Sequence, residues 1–155
     1  MYSHYIATNN LFLTRTVAPE LILTLDEAKE NLKVQHTLDD ELIYSLIESA
    51  QSYLEGKEGV LGRSLVTQTW EYSTSSCNSN GHIVLPFCPV QSVSSISYYD
   101  SDDQEQQLTV SDFYLYKNDD FAFLEPKSGV SWPSTIARRD AIKVTFICGY
   151  GTPEE

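Results

Sequence analysis

Asp100, Asp102, Asp103 and Glu105 place four carboxylates within one short stretch, the arrangement that could hold a calcium ion. An EF-hand loop counted from Asp100 needs Gly at its sixth place and Glu at its twelfth. Those places hold Glu105 and Ser111, so that motif fails. A weak surface calcium site remains as one reading of the Asp100–Glu105 turn, within a small calcium- or ligand-binding β module. The other is a solvated hairpin turn, which Asp and Ser favour by hydrogen-bonding their own backbone.

Other chemistry finds less support. Cys77, Cys88 and His82 lack the close ligand pairs of a zinc site, so the thiols read as buried or edge-strand groups. His4, His36 and His82 lie far apart, none in HExxH, and no Ser stands in GxSxG. Gly149-Tyr150-Gly151 opens no helix and lacks the GK[ST] of a phosphate loop. The chain therefore reads as a protein without catalytic residues, metal or cofactor, and binding surfaces become the question. Arg138-Arg139-Asp140 is either an interface cluster or an exposed loop with a surface ion pair. Trp132, followed by Pro133, is either an interface anchor or a lid over a sheet.

These groups need elements to position them. The chain has 155 residues, 41% of them hydrophobic, which suits one globular domain spanning 1–155. Ten Tyr and six Phe lean toward β structure and partner-facing surfaces. A net charge of −12 repels nucleic-acid phosphates and opposes direct duplex binding. It is compatible with a lumen through which DNA slides. No apolar run approaches the roughly 20 residues of a membrane span. MYSHYIATNN lacks the pattern of a signal peptide, and three Cys are an odd count. Together these predict reduced thiols in cytosol.

Residues 1–20 read as an extended arm, either a mobile terminus or a segment that orders on a neighbouring subunit. Residues 24–56 read as helices. Thr24-Leu25-Asp26-Glu27 is a capping box, and Leu25, Ala28 and Leu32 make an apolar stripe. Thr37 is expected to cap the second helix, whose stripe is Leu42, Leu46, Ala50 and Leu54, widened by Ile43, Ile47 and Tyr53. Glu41, Glu48 and Glu55 recur every seven residues and read as one acidic face, either solvated or a partner-docking or lumen-facing surface. Gly56 and Gly59 offer stops.

From 66 to 151 the period changes to that of an antiparallel β region. Trp70 and Tyr72 share one side of a strand. Ile83–Leu85 is short and ends at Pro86, and Pro86–Pro89 is a corner or edge. Val93–Tyr99 and Gln107–Val110 flank the acidic turn. Phe113–Tyr116 and Phe121–Leu124 flank Asn118-Asp119-Asp120. Ala141–Cys148 is the last strand, with Ile142, Val144 and Phe146 inward. The fold class is therefore α+β: a short N-terminal helical bundle followed by antiparallel sheet. The tips, with Tyr98, Tyr99 and Asp102 in one and Tyr116 and Asp119 in the other, are candidate contact surfaces alongside Trp132, Arg138 and Arg139.

The order of these pieces resembles the head–tail connector (adaptor, or head-completion) proteins of tailed bacteriophages. The resemblance runs through LTLDEAKENLKV, DDELI…LIESA…YLE, LVTQTW, IVLP…PVQSVSSI, the Ser131-Trp132-Pro133 loop and VTFICGYGTPE. It implies a structural virion protein that forms a ring, usually twelvefold, below the portal and presents a surface to a stopper or tail-completion protein. It implies a place in the virion neck after assembly in host cytoplasm. It also implies further apolar helices beyond the Gly-Tyr-Gly-x-Pro-Glu segment that complete the helical bundle. The stripe from Leu42 to Leu54 then needs a cover from such a segment or from a neighbouring subunit.

Overall fold

A computed structural model describes residues 12–56 and 59–152. Eight strands and two helices follow the order β1 (Phe12–Val17), α1 (Leu25–Leu32), α2 (Asp40–Leu54), β2 (Gln68–Thr74), β3 (Ile83–Leu85), β4 (Val90–Tyr99), β5 (Glu105–Leu108), β6 (Phe113–Lys117), β7 (Ala122–Pro126) and β8 (Ile142–Cys148). They form one five-stranded sheet, β1-β2-β8-β4-β5, and one three-stranded sheet, β3-β7-β6. Every pairing is antiparallel. The α+β expectation holds.

Strict alternation makes β8 the centre of the larger sheet. Ile142, Val144, Phe146 and Cys148 are all buried, while Lys143, Thr145 and Ile147 alternate with them. Ile83, Leu85, Phe113 and Leu124 of the second sheet bury against the same cluster, joined by Trp70, Phe87 and Ile96. Val93 is only half-buried, because irregular pairing between Val90 and Ser95 shifts the register of β4 there. Pro86–Pro89 is the expected corner, with a cis Cys88–Pro89 bond.

Three expectations need correction. Residues 12–17, read as part of an extended arm that is mobile or orders on a neighbouring subunit, form strand β1 on the chain's own β2; residues 1–11 of that arm lie outside the described residues. Thr37 does not cap α2. The cap is Asp39, without a side-chain cap bond, and Thr37 lies in the preceding turn, its carbonyl accepting the Asp40 N–H at 3.4 Å. A salt bridge from Lys29 to Asp40, 2.5 Å, ties the start of α2 to α1 instead. Glu55 is not on a solvated face: it is 4% exposed, whereas Glu41 and Glu48 are exposed. The α1 capping box forms as expected, with the Glu27 N–H donating to Thr24 Oγ1 at 3.2 Å and the Thr24 N–H to Glu27 Oε2 at 2.9 Å. The Thr24 hydroxyl, donating to Glu27 Oε2 at 2.7 Å, and then the Thr24 N–H hold the Glu27 carboxyl below its ordinary value.

Both Cys88 and Cys148 are buried thiols. Cys148 Sγ donates to Ser64 Oγ at 3.0 Å, and burial pushes its pKa up from 9.0 to about 12. Above pH 9 the unfolded thiol ionises while the folded one keeps its proton, so stability falls between pH 9 and about 12. The loss from this group approaches about 1.4 kcal/mol per pH unit. Urea titrations across that range should give a shallower alkaline slope for Cys148→Ala than for the natural chain. Equal slopes would remove Cys148 as a source.

Candidate interface surfaces

The helix pair presents an apolar groove. Ala28 of α1 and Ile43 and Ile47 of α2 bury against each other, aided by Leu21, Leu25 and Val34. Eight residues of α1 cannot cover both apolar lines of α2. Leu42 and Leu46 are each left 59% exposed, and Leu32 is 60% exposed. The expected stripe is therefore split, with the Ile43–Ile47 line inward and the Leu42–Leu46 line outward. Ile22, Leu23, Leu32, Leu46 and Leu54 line a groove of about 600 Å³ between the helices and the preceding linker. Apolar exposure on this scale marks an interaction surface in a globular protein.

The candidate residues of the β region gather at two places. At the β4–β5 tip, Arg138 makes two bonds to Asp140, Nε to Oδ1 at 2.8 Å and Nη2 to Oδ2 at 2.7 Å. Its Nη1 reaches Asp103 at 2.7 Å, and its guanidinium lies 3.7 Å from the Tyr99 ring centroid. These bonds, Asp140 first, raise the Arg138 pKa and lower that of Asp140. Lys143 Nζ donates to the Tyr99 hydroxyl at 3.0 Å. Tyr98, Tyr99, Arg138 and the exposed Asp102 thus share one end of the sheet, with exposed Arg139 next in the chain.

The β6–β7 tip lies elsewhere. Lys117 Nζ donates to the Gln91 carbonyl, and Asp120 faces Arg63 at 3.3 Å. Arg63 also donates to the Tyr150 hydroxyl at 2.6 Å, just past the end of β8. Gln91 is the second residue of β4 and Tyr99 the last, so the two tips stand roughly 25 Å apart along that strand. Tyr116 and the exposed Asp119 do not join Tyr98 and Asp102 in one surface. Tyr116 instead stacks on Phe123, centroids 5.1 Å apart, in an aromatic row with Phe121 and His82. Trp132 packs on Phe113 at 4.5 Å and donates Nε1–H to the Gly81 carbonyl at 2.6 Å.

The acidic turn is occupied by its own donors. Asp100 Oδ1 accepts the N–H groups of Asp102 and Gln104, each at 3.0 Å, and Oδ2 accepts from Gln106 Nε2 at 2.8 Å. These bonds, the Gln104 N–H foremost, lower the Asp100 pKa. Asp103 is held by Arg138, and Glu105 accepts the Ser97 hydroxyl at 2.8 Å. Among the described residues no group of three or more His, Cys, Asp or Glu is placed to hold a metal. A calcium ion would have to displace a guanidinium and several N–H donors. Calorimetric titration with calcium should show no binding in the micromolar range; micromolar affinity would restore the calcium reading.

The sequence anticipated that the Leu42–Leu54 stripe lacks a cover, and Leu42, Leu46 and Leu54 are indeed exposed; it gave no sign that Gln51, Glu55 and Gln68 are buried beside it. Residues 22–118 match the phage gp6-like head-tail connector protein family. The chain belongs to that family. As a member of the head-tail connector family it has a structural, connecting role. No curated protein matches it. Solved structures share the fold. The neck of an empty gene transfer agent particle, computed with C6 symmetry, superimposes with TM-score 0.74 at 16% identity, over 90% of this connector and 71% of that chain. A chain of the native gene transfer agent virion gives 0.69 at 16% identity, over 90% and 72%. One from the native neck, computed with C12 symmetry, gives 0.58 at 18% identity, over 87% and 70%.

Proposed function

We propose that the whole chain acts as one connector domain, closing with its copies into a dodecameric adaptor ring of the virion neck. The family match over residues 22–118 is the observation that carries this reading. The ring sits between the portal and a stopper or tail-completion protein, after assembly in host cytoplasm, and extends the DNA channel. Neighbours of the same fold come from necks computed with cyclic symmetry, which supports a ring. A closed ring needs two different, complementary faces on each copy. The exposed groove of the helix pair is one candidate face. The net charge of −12 supports passage of genome DNA without sequence-specific binding. Because the two tips point to opposite ends of β4, only one of them meets a given neighbouring ring. The β4–β5 tip, with Tyr98, Tyr99, Asp102, Arg138 and Arg139, is a candidate for one side; Tyr116 and Asp119 are candidates for the other.

Mass photometry of the purified chain, alone and mixed with portal rings, tests the reading. Assemblies with the mass of a closed ring, free or on portals, are expected. A monomer under both conditions at micromolar concentration would contradict it.

A further inference from the structure

The helix pair and the β body have separate apolar cores. The cluster of Ala28, Ile43 and Ile47 shares no residue with the cluster around Phe146. Much of what joins them is polar. Gln51, Glu55 and Gln68 are 5%, 4% and 1% exposed. Gln51 Oε1 accepts the Ile22 N–H at 2.9 Å, while its Nε2 donates to the Glu20 carbonyl at 3.0 Å and to Glu55 Oε1 at 2.8 Å. Glu55 Oε2 accepts the Leu65 N–H at 2.9 Å and Gln68 Nε2 at 3.1 Å. Gln68 Oε1 accepts Trp70 Nε1–H at 3.0 Å. One unbroken run of bonds thus crosses from linker to α2 to β2.

Apolar contact has no preferred direction, whereas a buried hydrogen bond has one and is costly to leave unmade. The angle between the two units is therefore set where the directional bonds are. We propose that the Gln51–Glu55–Gln68 run is an orienting hinge: it fixes the helix pair on the β body, and its opening frees the helix pair as a unit while the β body stays folded. Gly56, at φ +83, follows Glu55 directly and lets the chain turn there. A load on the helix pair alone then changes its angle without deforming β8. This inference does not depend on ring formation.

Spin labels on Glu48→Cys and Ser128→Cys, in a Cys77→Ser background, report the angle between the units. A control pair at Ser79→Cys and Ser101→Cys reports the β body. Glu55→Leu keeps comparable bulk but strips the Leu65 N–H of its acceptor and the Gln51 and Gln68 amides of one acceptor each. It should widen the first distance distribution by about twofold or more and leave the control pair unchanged. An unchanged first distribution would overturn the proposal. Native-state hydrogen exchange of the unaltered chain gives a second reading. Amides of Ile43 to Ile47 should exchange through an opening that leaves β8 amides protected, at least about tenfold faster than they do. A single common opening for α2 and β8 would also overturn it.

Discussion

Gly149→Ala should cost about 4 kcal/mol, through strain at a special backbone position and a clash with main chain. Gly149 sits at φ +117, and a Cβ there would lie 2.3 Å from the Val66 carbonyl oxygen and 2.7 Å from the Thr67 nitrogen. Backbone atoms cannot turn aside as a side-chain tip can. The neighbouring contacts fix the strands at that separation: the Tyr150 N–H donates to the Leu65 carbonyl and the Thr67 N–H to the Gly151 carbonyl, at 2.9 and 2.8 Å. The Gly149 N–H itself donates to the Pro89 carbonyl at 2.9 Å, at the Pro86–Pro89 corner. Differential scanning calorimetry should show a melting temperature lower by roughly 12 °C. Gly62→Ala serves as the comparison. That residue also has positive φ, +59, but nothing lies within 4 Å of its added Cβ, so the effect should be much smaller. Equal effects at the two sites would assign the cost to backbone conformation alone.

Phe146→Ala should cost a comparable amount, about 4 kcal/mol, for a different reason: it empties the centre of the core. Phe146 is fully buried on β8, opposite Trp70 on one neighbouring strand and Val93 on the other. Both sheets close over it, so the walls have little freedom to collapse into the space. Urea denaturation followed by tryptophan fluorescence should show a lower midpoint with an unchanged slope. Because the helix pair has its own core, exchange of its amides should respond less than exchange of β8 amides. A uniform response would show that the two cores melt as one.

The strands flanked by clear turns were legible. Strict alternation in β8, Pro86 after Ile83–Leu85, and Asn and Asp between β6 and β7 each left one local solution. Strand β1 was not, because at the sheet edge Thr14, Arg15, Thr16 and Val17 are all exposed and leave no period-two pattern. Glu55 misled by its spacing. Glu41 and Glu48 do face solvent, but α2 stops at Leu54, and at Glu55 the backbone turns extended, where a helical period no longer applies. The stripe of α2 was visible, yet periodicity cannot tell which of two adjacent lines meets α1. The structure chose Ile43, Ile47 and Gln51. The tips were each recognisable as hairpins, but their separation depends on which sheet each hairpin joins, and that is a long-range fact. Family membership was legible because it rests on the order of these pieces, which survives errors in any one of them.

Closure of this connector into a ring at the head–tail junction, as proposed, is open to direct observation. Electron microscopy of the purified chain incubated with portal-bearing particles tests it most directly. Added density at the portal vertex with closed cyclic symmetry is expected, absent from particles imaged without the chain. Portal vertices that stay bare at saturating protein, with the chain remaining monomeric in the same sample, would contradict it.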